Sequence, residues 1–438
     1  MDDSIIHGFS KYTRQQRIDA LIRKYGFEHN LAPWLRSFET SDQTISQIID
    51  DLSENPISSF HLPFSLAPNF VVNDRNLFFP LVTEESSVVA ALSSAAGFWA
   101  GRGGFHAEIL GTEKKGQVHF KWKGIRAKIQ LMFPEIKRKI LSESDFLSSK
   151  MTERGGGISF IELKDMTHIL PDYFQLDAGF ETCDAMGANF INSCLEQFGK
   201  SLQQYFRSNE MLSDNERDCE IIMAILSNYT PNSRVRAWVQ CPVVHLLDGK
   251  TSEECRLFAE KLEQAIHISQ SDVSRAVTHN KGIFNGIDAL SLATGNDFRA
   301  IEACGHAYAA RSGQYKGLTD IQIQDGIFKF SIELALAVGV VGGVTSLHPL
   351  AKLAMQILDQ PSAQELMMYL AVAGLASNFV ALKALVSGGI QEGHMKLHLS
   401  NIMNRLQIPE EKRFIIQQYF QDKTVSWSAV EEYWKSFG

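Results

Sequence analysis

No cysteine in this sequence stands in a CxxC pair. The six cysteines, Cys183, Cys194, Cys219, Cys241, Cys255 and Cys304, follow no repeating interval. That excludes a zinc ribbon or disulfide framework and fits thiols of a reducing compartment. A positive excess is missing too: 42 Lys and Arg stand against 50 Asp and Glu, a formal net charge of −8. Such a balance gives no overall electrostatic footprint for nucleic acid, although a local basic patch stays open. The first residues, MDDSIIHGFSKYTRQQRID, lack the basic-then-apolar order of a leader. No clean apolar run reaches bilayer length. LALAVGVVGGV (334–344) is short and glycine-rich, and MMYLAVAGLASNFVALKAL (367–385) holds Ser377, Asn378 and Lys383, as a buried helix can. A Walker A motif and a strand-borne GxGxxG are absent, as are internal repeats and low-complexity segments. The expectation is a soluble, cytoplasmic protein with no membrane and no nucleic-acid partner.

What is present is ample core material. With 438 residues, 45% of them hydrophobic, two or three domains can each bury a sizeable core. Residues 10–55 read as helical, with Leu21, Ile22 and Tyr25 at helical spacing and Ser41 as an N-cap before TISQIIDDL. FHLPFSLAPNFVVNDRNLFFPLV reads as short strands about an Asn73-Asp74 turn, and ESSVVAALSSAAGFWAG as a helix after Glu84-Glu85. From 112 to 226 the pattern changes. Val118, Phe120 and Trp122 alternate in QVHFKW, and a helix follows to about 147. GISFIELKDM and YFQLDAGFET then read as strands joined near Pro171, followed by the helix ANFINSCLEQFGKSLQQYF and the strand CEIIMAIL. The order β-α-β-β-α-β is that of a split βαβ, ferredoxin-like unit. From 251 to 390 the chain reads as mostly helical, with a strand pair near 318–335. Gly388, Gly389 and Gly393 suggest a hinge, and Ser428 with Glu431 a late capping box. The fold class expected is α+β. A large, mostly helical domain (1–111 and 227–388) holds a small ferredoxin-like, non-Rossmann insert (112–226), and a helical flap (389–438) follows.

Several short motifs carry chemistry, each with a bland reading beside it. GVVGG (339–343) imitates a dinucleotide loop and equally suits close helix packing. His394 and His398 have the i, i+4 spacing of metal ligands, but the glutamate of HExxH and a third ligand are missing, so no metal is expected. A histidine acting as proton donor on a mobile element suits that segment better. DAMGAN (184–189) falls where a strand gives way to a helix, a place where free N–H groups bind phosphate, or merely a junction. Glu84-Glu85 precede a helix, as dipole-favourable acids do. In AVTHNKGIFNGIDALSLATGND (276–297), Lys281, Asn285 and Asp297 stand amid Gly282, Gly286 and Gly295, glycines that mark sharp turns or close backbone approach.

Taken in order, PLVTEES (80–86), DAMGAN, RAVTHNKGIFNGID (275–288), LATGND (292–297) and GHM (393–395) resemble class II 3-hydroxy-3-methylglutaryl-CoA (HMG-CoA) reductases. HAYAARSGQY (306–315) and VGG (341–343) extend the resemblance over nearly the whole chain. That family reduces HMG-CoA to mevalonate and CoA with two hydrides from NADPH or NADH, without a metal, and works as a homodimer or a larger dimer-based oligomer. The resemblance implies that Lys281 stabilises the oxyanion, beside Asp297. Glu85 passes a proton to the carbonyl oxygen, and His394 protonates the CoA thiolate. Arg275 grips the substrate carboxylate; Ser87, Asn228 and Asn285 add polar contacts. Asp184, Met186, Gly187 and Asn189 match the dinucleotide motif. Where NAD-using relatives carry an aspartate seven residues before GGG, counting back from Gly155 gives Ser148. With Lys150 and Arg154 nearby, Ser148 favours a 2′-phosphate and hence NADPH; a shifted loop would put Asp145 there and favour NADH. The sequence departs from the family pattern at Ser86, Ser58, Ser346 and Ser377. Two other readings are NAD-dependent oxidation of mevalonate and a non-catalytic CoA-binding relative.

Overall fold

The computed structural model describes residues 6–27, 30–387, 399, 402–420, 423 and 425–437. The N-terminal stretch forms α1 (Arg14–Tyr25), α2 (Leu31–Arg36) and α3 (Gln43–Asp51). Asp42, not Ser41, caps α3. Its carboxylate accepts from the N–H groups of Thr44 and Ile45 at 2.9 and 3.1 Å, and its charge also suits the helix N-terminus. A hairpin follows, β1 (Phe64–Val72) against β2 (Arg75–Val82), turning through Asn73 and Asp74 with φ of 47° and 66°. Both residues tolerate that left-handed region, and two such residues give the turn whose twist matches the strands. Helix α4 (Ser86–Ala100) and a short strand β3 (His106–Ile109) complete the segment.

The next unit is β4 (Lys114–Trp122), α5 (Arg126–Thr152), β5 (Gly157–Asp165), β6 (Tyr173–Glu181), α6 (Ala188–Ser208), α7 (Asp214–Arg217) and β7 (Cys219–Ser227). Its antiparallel sheet runs β5-β6-β4-β7. The alternation in KKGQVHFKW sends Val118, Phe120 and Trp122 inward, where they meet Ile136 and Ile140 of α5 and Phe198 of α6 in a core of their own.

Strand β8 (Arg234–Pro242) then returns to the first unit, followed by α8 (Ser252–Ser271), α9 (Val273–Ala293), α10 (Phe298–Ala309), β9 (Thr319–Gln324) and β10 (Ile327–Ala335). A second antiparallel sheet runs β3-β8-β10-β9. The sequence reading missed β3 and β8. β3 has four residues, whereas RVRAWVQCP does alternate, burying Val235, Ala237, Val239 and Cys241. After α11 (Gly343–Leu347) and α12 (Pro349–Ile357) comes α13 (Ala363–Ser387). By length and composition α13 could cross a bilayer, but Leu366, Leu370, Leu375, Phe379 and Leu382 are buried in the large core with α9 and the sheet.

The chain ends in α14 (Glu410–Tyr419) and α15 (Trp427–Lys435), which share a small third core around Met403, Ile416 and Val430. Ser426, not Ser428, caps α15 by accepting from Ala429 N–H, while Glu431 pairs with Lys435. The helix begins two residues too early for a box built on Ser428. His394, His398 and the hinge glycines Gly388, Gly389 and Gly393 lie outside the described residues.

Candidate active site

Lys281 and Glu85 meet. The lysine stands mid-way along α9, and its Nζ lies 3.8 Å from Glu85 Oε2 in the bend before α4. Ser87 donates its hydroxyl to Glu85 Oε1, fixing one carboxylate oxygen and leaving the other toward the lysine. The side chains are 66% and 41% exposed. An ion pair so exposed contributes about 0–1 kcal/mol. The fold does not depend on it, which leaves both groups available for chemistry.

The glycines around Lys281 divide between the two expected roles. Gly282 and Gly286 sit inside α9 and make no turn. Gly286 permits close approach instead: a Cβ there would lie 2.4 Å from the Ala373 carbonyl oxygen of α13. At this contact the Ser377 hydroxyl donates to the Gly282 carbonyl at 2.7 Å. Just upstream, a buried polar chain pins the helix. Thr319 donates its hydroxyl to Asn378 Oδ1, so His279 donates to Thr319 through Nε2 at 2.6 Å. Burial, and then the charge of Arg275, push His279 down to about 3, so it is neutral. Asn280 ties α9 to the loop before β9 through Lys316 O and Leu318 N.

Asp297 is the N-cap of α10, accepting from Arg299 and Ala300 N–H, and its ion pair is with Arg299 at 3.0 Å. The structure does not bring its carboxylate within ion-pair distance of Lys281. The turn before it is set by Gly295, with φ of 72°. That turn packs on the GVVGG segment: the Thr345 hydroxyl donates to Thr294 O, and Gly339 N–H donates to Asn296 Oδ1. Asn285 lies one turn beyond Lys281 on the same face of α9. Arg275 lies six residues before it, rotated by about 120° around the helix, so the two leave α9 on different sides. The guanidinium is half-buried, and no carboxylate among the described residues pairs with it.

The DAMGAN turn sits against the other side of GVVGG. Val340 N–H donates to Asp184 O, Ala363 N–H donates to Asp184 Oδ1, and a Cβ at Gly339 would lie 2.3 Å from Met186 N. Close packing is what GVVGG supplies. Gly187, with φ of 92°, opens α6, and no side chain caps that end. The first N–H groups of α6, next to exposed Asn189, are therefore free for an anion such as a diphosphate. Asn228 lies with Met186 and Ala300 around a small cavity, between this turn and the start of α10.

Ser148 is not at the surface. It is 8% exposed, with its hydroxyl donated to Asp145 O. Ile136, Ile140, Ser144 and Ser148 recur every fourth residue along the buried face of α5, so helical phase overrides the count from Gly155. Lys150 and Arg154 are exposed, and Arg154 O accepts from Cys183 Sγ at 3.2 Å, beside Asp184. Sequence reasoning also passed over Asp288, two turns beyond Lys281 on the same face. Burial and the nearby Glu302 of α10 push its carboxyl up to about 8, so one proton is held there at neutral pH. Its place on the Lys281–Asn285 face was the available signal.

A family model for hydroxymethylglutaryl-coenzyme A reductase matches residues 14–399. A 3-hydroxy-3-methylglutaryl-coenzyme A reductase of Archaeoglobus fulgidus is 34% identical over 407 residues, 91% of this chain and 86% of that one. A probable one of Borreliella burgdorferi is 34% identical over 375 residues, 85% and 81% of the two chains. Among solved structures, the Streptococcus pneumoniae reductase aligns with a TM-score of 0.73 at 34% identity over 99% of both chains. The class II Streptococcus pneumoniae enzyme bound to NADPH in open conformations aligns at 0.72 and 35% identity, covering 87% of this chain and 99% of that one.

Proposed function

We infer the reaction from one premise: the chain belongs to the hydroxymethylglutaryl-coenzyme A reductase family. It reduces HMG-CoA to mevalonate and CoA, a four-electron change made as two hydride additions, on the route to isoprenoids. The observation that carries the site assignment is the approach of Lys281 to Glu85; separately, GVVGG packs the Gly295 turn and the turn that opens α6 against each other, which supports the dinucleotide assignment.

A reduced nicotinamide, when bound, supplies the hydride in each half-reaction. Lys281 offers a cation to the oxyanion that each addition creates at the carbonyl. Glu85, held by Ser87, delivers the proton to that oxygen. We assign Asp297 as the second carboxylate governing the charge of Lys281; in this structure it caps α10 and pairs with Arg299. Arg275 is assigned to the free carboxylate of the substrate, a fork-shaped task that a half-buried guanidinium with no carboxylate partner among the described residues suits. His394 is assigned to protonating the departing thiolate. Asn228 and Asn285 are assigned polar contacts to the substrate.

We read residues 112–226 as a ferredoxin-like nucleotide domain; the strand order β5-β6-β4-β7 supports this. The three separate cores support a large domain, this insert and a C-terminal flap. Asp184, Met186, Gly187 and Asn189 are assigned to the dinucleotide. Exposed Lys150 and Arg154 favour the 2′-phosphate of NADPH, whereas Asp145, also exposed, is the acid that would favour NADH. A cytoplasmic homodimer is the assembly we propose. Steady-state rates with each nucleotide test the cofactor choice. A higher kcat/KM with NADPH is expected; a strong preference for NADH would contradict it.

A further inference from the structure

A buried cation that the reaction does not call for lies beneath the dinucleotide turn. Lys114, the first residue of β4, is 5% exposed. Its Nζ donates to the Thr182 hydroxyl and, at 2.8 Å, to the carbonyl of Ala185. Thr182 in turn donates to the same carbonyl at 2.7 Å. Three groups from a strand and a turn thus share one knot. Gly187 is locked to it, because a Cβ at that position would lie 2.4 Å from Thr182 Cγ2. Displacing Thr182 therefore shifts the residue that opens α6.

Burying an ammonium is costly, and a methionine would fill the same space without the cost. Stability alone does not account for a lysine here. The charged groups facing it are Glu181 at the end of β6 and Asp184 in the turn, with the titratable Cys183 between them. From the other packed elements come uncharged side chains, among them Met186, Ile191, Asn228, Ala300 and Ala337. Burial lowers Lys114 to about 8, against the opposing pull of Glu181, Cys183 and Asp184.

We propose that Lys114 is the positioning residue of the dinucleotide site: its ammonium fixes the Thr182–Gly187 turn that presents the first N–H groups of α6, and adds positive charge beneath the bound diphosphate. The inference rests on reading that turn as the dinucleotide site. It predicts that Lys114 governs nucleotide affinity and not the hydride transfer.

Lys114→Met in the full-length chain is the test, read by NADPH binding, by KM and kcat, and by thermal melting. The KM and Kd for NADPH rise about tenfold, as loss of a charge-assisted contact implies. kcat at saturation stays within about twofold and the melting midpoint does not fall. In the wild type the KM climbs as pH passes upward through about 8, where Lys114 loses its charge. Lys114→Met has no such break, while Cys183→Ser keeps it. A folded Lys114→Met with the wild-type KM, or with the break intact, overturns the proposal. Should that variant not fold, Thr182→Val removes one acceptor and leaves the lysine. A raised KM then supports the role; an unchanged KM together with a flat wild-type profile overturns it. A wild type that turns over without saturable NADPH binding at this turn overturns the dinucleotide reading itself, a failure distinct from an unaltered variant.

Discussion

On α9 the groups offered to the substrate are side chains, and the backbone beneath them is immobilised by buried polar contacts. Lys281 and Glu85 are exposed and loosely paired, yet His279, Asn280, Ser377 and Asn378 hold the helix carrying the lysine. Around residues 182–187 the arrangement is reversed. On the dinucleotide reading proposed above, the uncapped N–H groups of α6 are what the ligand meets, and the buried Lys114 bonds the turn that presents them. A reacting group must move little but change charge, so it is exposed on a rigid support. A phosphate cradle must keep its shape, so its shape-giving charge is buried.

This contrast can be broken most forcefully at Lys281. Lys281→Ala should lower kcat by about a thousandfold, the effect of losing an oxyanion partner, while the Kd for NADPH, measured by fluorescence, stays at the wild-type value. If nucleotide binding were lost equally, the two halves would not be separable. Gly286→Val acts on the support. Its side chain meets the Ala373 carbonyl, a backbone atom that cannot rotate away, and should cost about 3 kcal/mol in denaturant unfolding, with kcat reduced as α9 shifts.

Asp288 sharpens the comparison through pH. Its folded pKa is raised to about 8, above the roughly 4 of an unfolded carboxyl. Between those values the folded state holds more protons, so this group lowers stability as pH rises, and its penalty is complete above about 8. Asp288→Asn should therefore melt increasingly above the wild type across that window; parallel melting curves would refute it. The smallest effect is expected at Ser377→Ala, which removes a bond to the Gly282 carbonyl and should cost about 1 kcal/mol, seen in urea midpoints.

The same division decides what could be read from the sequence. Lys281, Glu85 and the DAMGAN turn sit in contiguous motifs, and the alternation in KKGQVHFKW showed the core strand of the insert. Lys114 could be read only in part. It falls on the inward parity of that same run, but the groups that hold its charge lie on a turn from far along the chain. The Asp288–Glu302 pair likewise exists only once α9 and α10 are packed. Ser148 failed for a different reason: a count along the chain ignored the fourfold stripe of Ile136, Ile140 and Ser144 that marks its helix face as buried. The glycines at 282 and 286 left turns and close approach both open, and only the packing of α13 decides for close approach at Gly286.

The measurement that tests the central claim most directly is the stoichiometry of turnover by the wild-type chain with HMG-CoA and NADPH, following nicotinamide absorbance and free thiol together. The account predicts two nucleotides oxidised for each CoA released, with mevalonate as product, and oxidation about a thousandfold slower by a folded Lys281→Ala. A single nucleotide per CoA, or undiminished oxidation by that variant, would contradict it.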